Sequence, residues 1–119
     1  MEISDLNKYQ KVYLTYKIFL YWNSGKIIYN EKPFLPIQFN IIDVESILKV
    51  YLSCSKIDND LKVDNIMNYF KRLNFFEKLD FMIYLFDIVN DINIIPNYLK
   101  DGFNLRDLSN KLLDYKLYL

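Results

Sequence analysis

A chain of 119 residues that is 52% hydrophobic has the length of one domain and enough apolar surface for a core without metal or disulfide support. Fifteen basic residues balance fifteen acidic ones, so no global field draws it to nucleic acid or to an anionic membrane. With no His and only one Cys, Cys54, neither an intramolecular disulfide nor a zinc site of the usual nitrogen and sulfur ligands can be assembled within one chain.

The first residues lack the charged start, apolar run and small-residue cleavage site of a secretory signal, which makes an intracellular, cytoplasmic setting the default expectation. Eleven Tyr and nine Phe stand against no Ala, and Lys, Asn and Ile are also abundant, as in the codon usage of an AT-rich genome. Spacing is therefore a better guide than abundance.

Residues 4–22, SDLNKYQKVYLTYKIFLYW, carry two patterns at once. As a helix, Ser4 caps the first amides and Leu6, Tyr9, Tyr13, Tyr16 and Leu20 form the buried row, with Gly25 as the stop. As a strand, Val12, Leu14, Tyr16, Ile18, Leu20 and Trp22 alternate with Tyr13, Thr15, Lys17, Phe19 and Tyr21, and Asn23 to Lys26 turns into a hairpin over residues 11–30. Helix is the primary reading, and an α+β chain with that hairpin is the alternative. Residues 26–39 contain Pro33 and Pro36 among Phe34, Leu35, Ile37 and Phe39, which predicts an extended strap lying across helices.

Asn40 or Asp43 caps the next expected helix, with Ile41, Val44, Ile47, Leu48, Tyr51 and Leu52 buried. Asp58 to Asp60, or Asp64, opens another, whose row is Leu61, Ile66, Tyr69, Phe70 and Leu73 and whose last turn holds Lys71 and Arg72. Residues 75–90, FFEKLDFMIYLFDIVN, are apolar over most of a helical circumference, leaving a narrow ridge of Glu77, Asp80, Tyr84, Asp87 and Asp91. A helix of this kind needs partners on several sides. Its acidic ends and length of about 15 residues are unsuited to spanning a bilayer, so no membrane insertion is expected. Pro96 begins a brief turn ending at Gly102, and Asn104 caps a last helix with the stripe Leu105, Leu108, Leu112, Tyr115 and Leu119. The expectation is an all-α bundle of about five to six helices around the central helix 75–90, forming a single domain.

Chemistry is thinly represented. The missing His removes the commonest base and metal ligand, and two distant glycines exclude a glycine-rich phosphate cradle. No nucleophile elbow or Ser/Lys motif is present, and Asp58-x-Asp60-x-x-x-Asp64 lacks the Gly and bidentate Glu of a calcium loop. No enzyme, cofactor or metal is expected.

A protein partner is the leading expectation, met through the ridge Glu77, Asp80, Tyr84, Asp87 and Asp91, the proline-flanked Phe34, or Tyr21, since tyrosines are enriched at binding hot spots. Phage and viral antagonists of host systems include small neutral proteins of this kind. The alternatives are single-stranded nucleic-acid binding through Lys11, Tyr13, Lys17, Phe19 and Tyr21 on the strand reading, and a structural subunit or homo-oligomer. Leu20-Tyr21-Trp22-Asn23, followed by Tyr29-Asn30-Glu31, resembles the first-helix YxxW region of poxviral Bcl-2-like proteins. That family's helical bundles bind host signalling proteins, which the resemblance implies as a direction. The Arg that follows the Trp there is Asn23 here, and the small residues of that family's central helix are absent from 75–90, so the chain is not assigned to it.

Overall fold

Asn7 in extended backbone and Gln10 cap each other reciprocally: the Gln10 N–H donates to Asn7 Oδ1 and the Asn7 N–H to Gln10 Oε1, both at 2.8 Å. This starts helix α1, Lys8–Asn23, in a computed structural model that describes residues 2–36, 45, 49, 61–92 and 105–119. Ser4, the expected cap, lies instead in a short 3-10 turn, Ile3–Asp5. Gly25 ends α1 as expected, its φ of +80° supplying the left-handed step that follows the Ser24 cap.

The helix reading of this stretch holds and the hairpin over 11–30 does not, but the buried face is not the expected one. Val12, Leu14, Thr15, Ile18, Phe19 and Trp22 are buried; of the predicted row only Leu6, ahead of the helix, is buried, while Tyr9, Tyr13 and Tyr16 are half-buried and Leu20 is 40% exposed. The inward arc is rotated roughly half a turn from the predicted row. Apolar residues on every side gave periodicity no contrast to work with. The tertiary neighbours enclose the side that carries Phe19 and Trp22 and leave the tyrosine rings at its margin.

Residues 26–36 are not a plain strap. Strand β1, Ile28–Tyr29, pairs antiparallel with β2, Lys32–Pro33, and the Phe34 N–H donates to Ile27 O at 2.8 Å below them. Asn30 and Glu31 form the two-residue turn with φ of 51° and 66°, the left-handed pair that matches strand twist. Asn tolerates that region, which is the local reason the prolines did not keep the segment extended. Residues 37–39 lie outside the described residues.

Helix α2, Leu61–Arg72, buries Val63, Ile66, Met67 and Phe70 and ends with Lys71 and Arg72 at its negative pole. Asn74 then caps α3, Phe75–Ile92, in a second reciprocal box with Glu77: the Glu77 N–H donates to Asn74 Oδ1 at 2.9 Å and the Asn74 N–H to Glu77 Oε1 at 3.0 Å. The central helix is enclosed over most of its circumference, with Leu79, Met82, Leu85, Phe86 and Val89 buried, but Phe76, expected on the buried flank, is 42% exposed. Helix α4, Leu105–Tyr118, packs along α3 over the widest helix contact and buries Leu105, Leu108, Ser109 and Leu112.

Buried side chains from all four helices make one cluster, in which Phe86 stacks on Phe19 at 5.1 Å and Phe81 meets Phe70 edge-on at 5.1 Å. The radius of gyration, 13.7 Å, is close to the about 13.5 Å of a close-packed chain this long. Among the described residues there are four α-helices and one two-stranded sheet, fewer helices than the five to six expected. The expected helix around 41–52 and the Pro96 turn fall outside the described residues, apart from Glu45 and Lys49, which are helical.

Candidate functional site

The acidic ridge of α3 is exposed on its own helix, but its carboxylates are engaged within the chain. Glu77 closes the cap with Asn74. Asp80 pairs with Lys116 of α4, and Arg106 of α4 reaches both Asp91 and Asp87, the latter at 3.8 Å. Ser109 Oγ donates to Ile83 O at 3.1 Å between these pairs, so the ridge forms one side of the α3/α4 seam. Sequence spacing located the acids correctly but could not foresee that the last helix would bring Arg106 and Lys116 to them.

The two aromatic candidates are also turned inward. Phe34 packs against Trp22 at 6.4 Å, Phe75 at 5.0 Å and Tyr115 at 5.8 Å, and its carbonyl accepts the Trp22 indole N–H. Tyr21 is half-buried edge-on to Phe70 at 5.9 Å, with the Lys71 ammonium 5.7 Å from its ring. The Lys/aromatic platform expected on a strand is not assembled. On helix α1, Phe19 is fully buried and Lys17 pairs with Asp64 of α2.

Most described tyrosines are occupied in the same way. Tyr9 and Tyr13 carry the ammonium groups of Lys8 at 5.1 Å and Lys17 at 5.3 Å, and Tyr13 stacks with Tyr16 at 6.3 Å. Tyr29 lies 4.6 Å from Phe75. Burial pushes the Tyr16 hydroxyl above its ordinary pKa, assisted by Tyr13 and Glu45. Burial likewise holds the Lys78 ammonium below its ordinary range, where it donates to Leu73 O at the α2–α3 corner.

Three tyrosines differ: Tyr118, 89% exposed near the end of α4, and the pair Tyr69 and Tyr84. Tyr69 on α2 is 52% exposed and Tyr84 on α3 is 55% exposed, and neither makes a ring contact, cation contact or hydrogen bond among the described residues. They line one groove of about 290 Å³ together with Glu2, Ile3, Ser4, Ile66 and Phe81. Ile3 and Ile66 are buried and Phe81 is half-buried, so the groove has an apolar floor, aromatic walls and one carboxylate at the N-terminal turn. Its volume is at the small end for ligand sites and suits one side chain.

Tyr84 came from the ridge pattern; Tyr69 was assigned to the buried row and is corrected to the surface. A signal for it was available. Val63, Ile66, Met67 and Phe70 are the tightest apolar quartet on α2, and Tyr69 falls beside that arc rather than within it.

A second depression, of about 550 Å³, is lined by Pro36, Lys111, Asp114, Tyr115 and Tyr118, with both charges on α4. Among the described residues, no three His, Cys, Asp or Glu side chains gather as a metal centre requires, and no helix is long and apolar enough to cross a membrane. No protein-family model, curated protein or solved structure matches this chain.

Proposed function

We propose that this chain is a non-enzymatic protein-binding module whose contact surface is the groove flanked by Tyr69 and Tyr84. The observation that carries the reading is the pair of half-exposed tyrosines beside an apolar floor, without a partner among the described residues, whereas six of the other seven described tyrosines are engaged within the chain, Tyr118 being the exception. Large rings with a polar tip give much contact area for little conformational entropy, which makes them anchors in protein interfaces. The absence of His, of a nucleophile elbow and of a Ser/Lys motif from the sequence supports recognition over catalysis.

The test is affinity purification from the native host with mass spectrometry, run in parallel on the parent chain and on Tyr69→Ala/Tyr84→Ala. A saturable partner held by the parent and lost by the double variant is the expected result. A partner retained equally by both proteins removes the groove from the reading, and no saturable partner at all removes the module.

A further inference from the structure

We propose that the groove between the N-terminal turn, α2 and α3 takes an arginine side chain of the partner protein, its guanidinium against the rings of Tyr69 and Tyr84 and its charge answered by Glu2. This rests on the protein-binding reading and adds the chemistry of what enters. Three observations carry it.

The first is the company kept by the other tyrosines. The rings of Tyr9, Tyr13 and Tyr21 each have a lysine ammonium within 5.1 to 5.7 Å, so a cation over a tyrosine face is a contact this chain already uses. Tyr69 and Tyr84 present the same negative ring faces and have no cation among the described residues.

The second is charge. Among the described residues the lining holds Glu2 and neither Lys nor Arg, in a protein whose net charge is zero. Glu2 is exposed; its carboxylate caps the Asp5 N–H in the N-terminal turn and accepts from the Ser4 hydroxyl at 3.5 Å, and its two oxygens have acceptor sites to spare for an incoming cation. With no global field to steer binding, complementarity has to be local.

The third is shape. A floor of Ile3, Ile66 and Phe81 suits the methylene stem of a long basic side chain, and about 290 Å³ accommodates one such side chain and not a folded element. Arginine is favoured over lysine because a planar, weakly hydrated guanidinium stacks on aromatic faces, whereas an ammonium keeps its water.

The test is a titration of the full chain, with tyrosine rings isotopically labelled, by a blocked Gly-Arg-Gly peptide and by the same peptide carrying citrulline, which keeps the shape and removes the charge. Expected are ring shifts at Tyr69 and Tyr84 with the arginine peptide, binding about ten-fold weaker for citrulline, and a several-fold loss in Glu2→Gln. Tyr69→Leu and Tyr84→Leu keep the surface apolar and should each weaken the arginine peptide, with the shifts of buried Trp22 reporting an intact fold. Equal binding of both peptides at these tyrosines overturns the arginine assignment and leaves the peptide groove standing. No shift of either ring with the arginine peptide at millimolar concentration also overturns it, while the reading as a binding module is decided separately by the partner purification.

Discussion

Phe86 tests whether the central helix is the centre. Its ring is fully buried and stacks on Phe19 at 5.1 Å with an interplanar angle of 11°, on the line where α1 meets α3. Replacing it with Ala removes the transfer energy of the ring and leaves a cavity that neighbours on several helices cannot close, a cost of about 3–5 kcal/mol. Of this, about 0.5–1.5 kcal/mol belongs to the ring pair and is recoverable as the coupling term of a double-mutant cycle with Phe19→Leu. An unfolding entropy of about 2.1 cal/mol/K per residue gives about 250 cal/mol/K for 119 residues, so the melting temperature falls by roughly 12–20 °C.

The comparison is Phe76→Ala on the same helix. Phe76 is 42% exposed, so the expected loss is about 1 kcal/mol, or roughly 4 °C. Thermal and urea unfolding followed by circular dichroism measure both. If Phe86→Ala leaves too little folded protein, Phe86→Leu keeps the measurement in range at about 1–1.5 kcal/mol. A Phe86→Ala variant within 1 kcal/mol of the parent, or a Phe76→Ala variant that loses as much as Phe86→Ala, refutes the enclosure of α3.

Glu31→Gly should stabilise the fold by about 0.5–1 kcal/mol, because relief of the left-handed turn, φ 66°, outweighs the added freedom of the unfolded chain; a lower melting temperature would contradict the turn assignment. Arg106→Met removes the exposed pairs with Asp87 and Asp91, and should cost about 0.5–1 kcal/mol at low salt and nearly nothing at about 1 M NaCl. A loss that persists at high salt would assign the effect to packing of α4. The folded-state pKa of Tyr16 is raised above 10.0, so the stability tied to its neutral form is complete below pH 10 and is lost as pH climbs through the folded value. Urea unfolding above and below pH 10 should therefore show Tyr16→Phe gaining on the parent in the alkaline range, and a pH-independent difference between the two proteins would remove the buried-hydroxyl account.

What the sequence determined by itself is local: where α1 stops, where α3 starts, and which helix is too apolar to face water. The stop at Gly25 was legible because a cap acts within one turn of chain, through backbone groups that have no other partner. The enclosure of α3 was legible because its polar residues fill only a narrow ridge. The tertiary structure alone decided what depends on a second element. Helix α1 has apolar residues on every side, so packing against its neighbours, α2 and α3 among them, selected Trp22 and Phe19 over the tyrosine row for burial. The α3 ridge became a seam because Arg106 and Lys116 arrive on α4, 15 or more positions away in the chain. Of the surface expected to meet a partner, Tyr84 alone stayed outside and unengaged among the described residues, and it acquired Tyr69 as a neighbour across a groove that no single helix contains. Periodicity reports the faces of one helix; which face meets protein and which meets water is a property of how the helices pack.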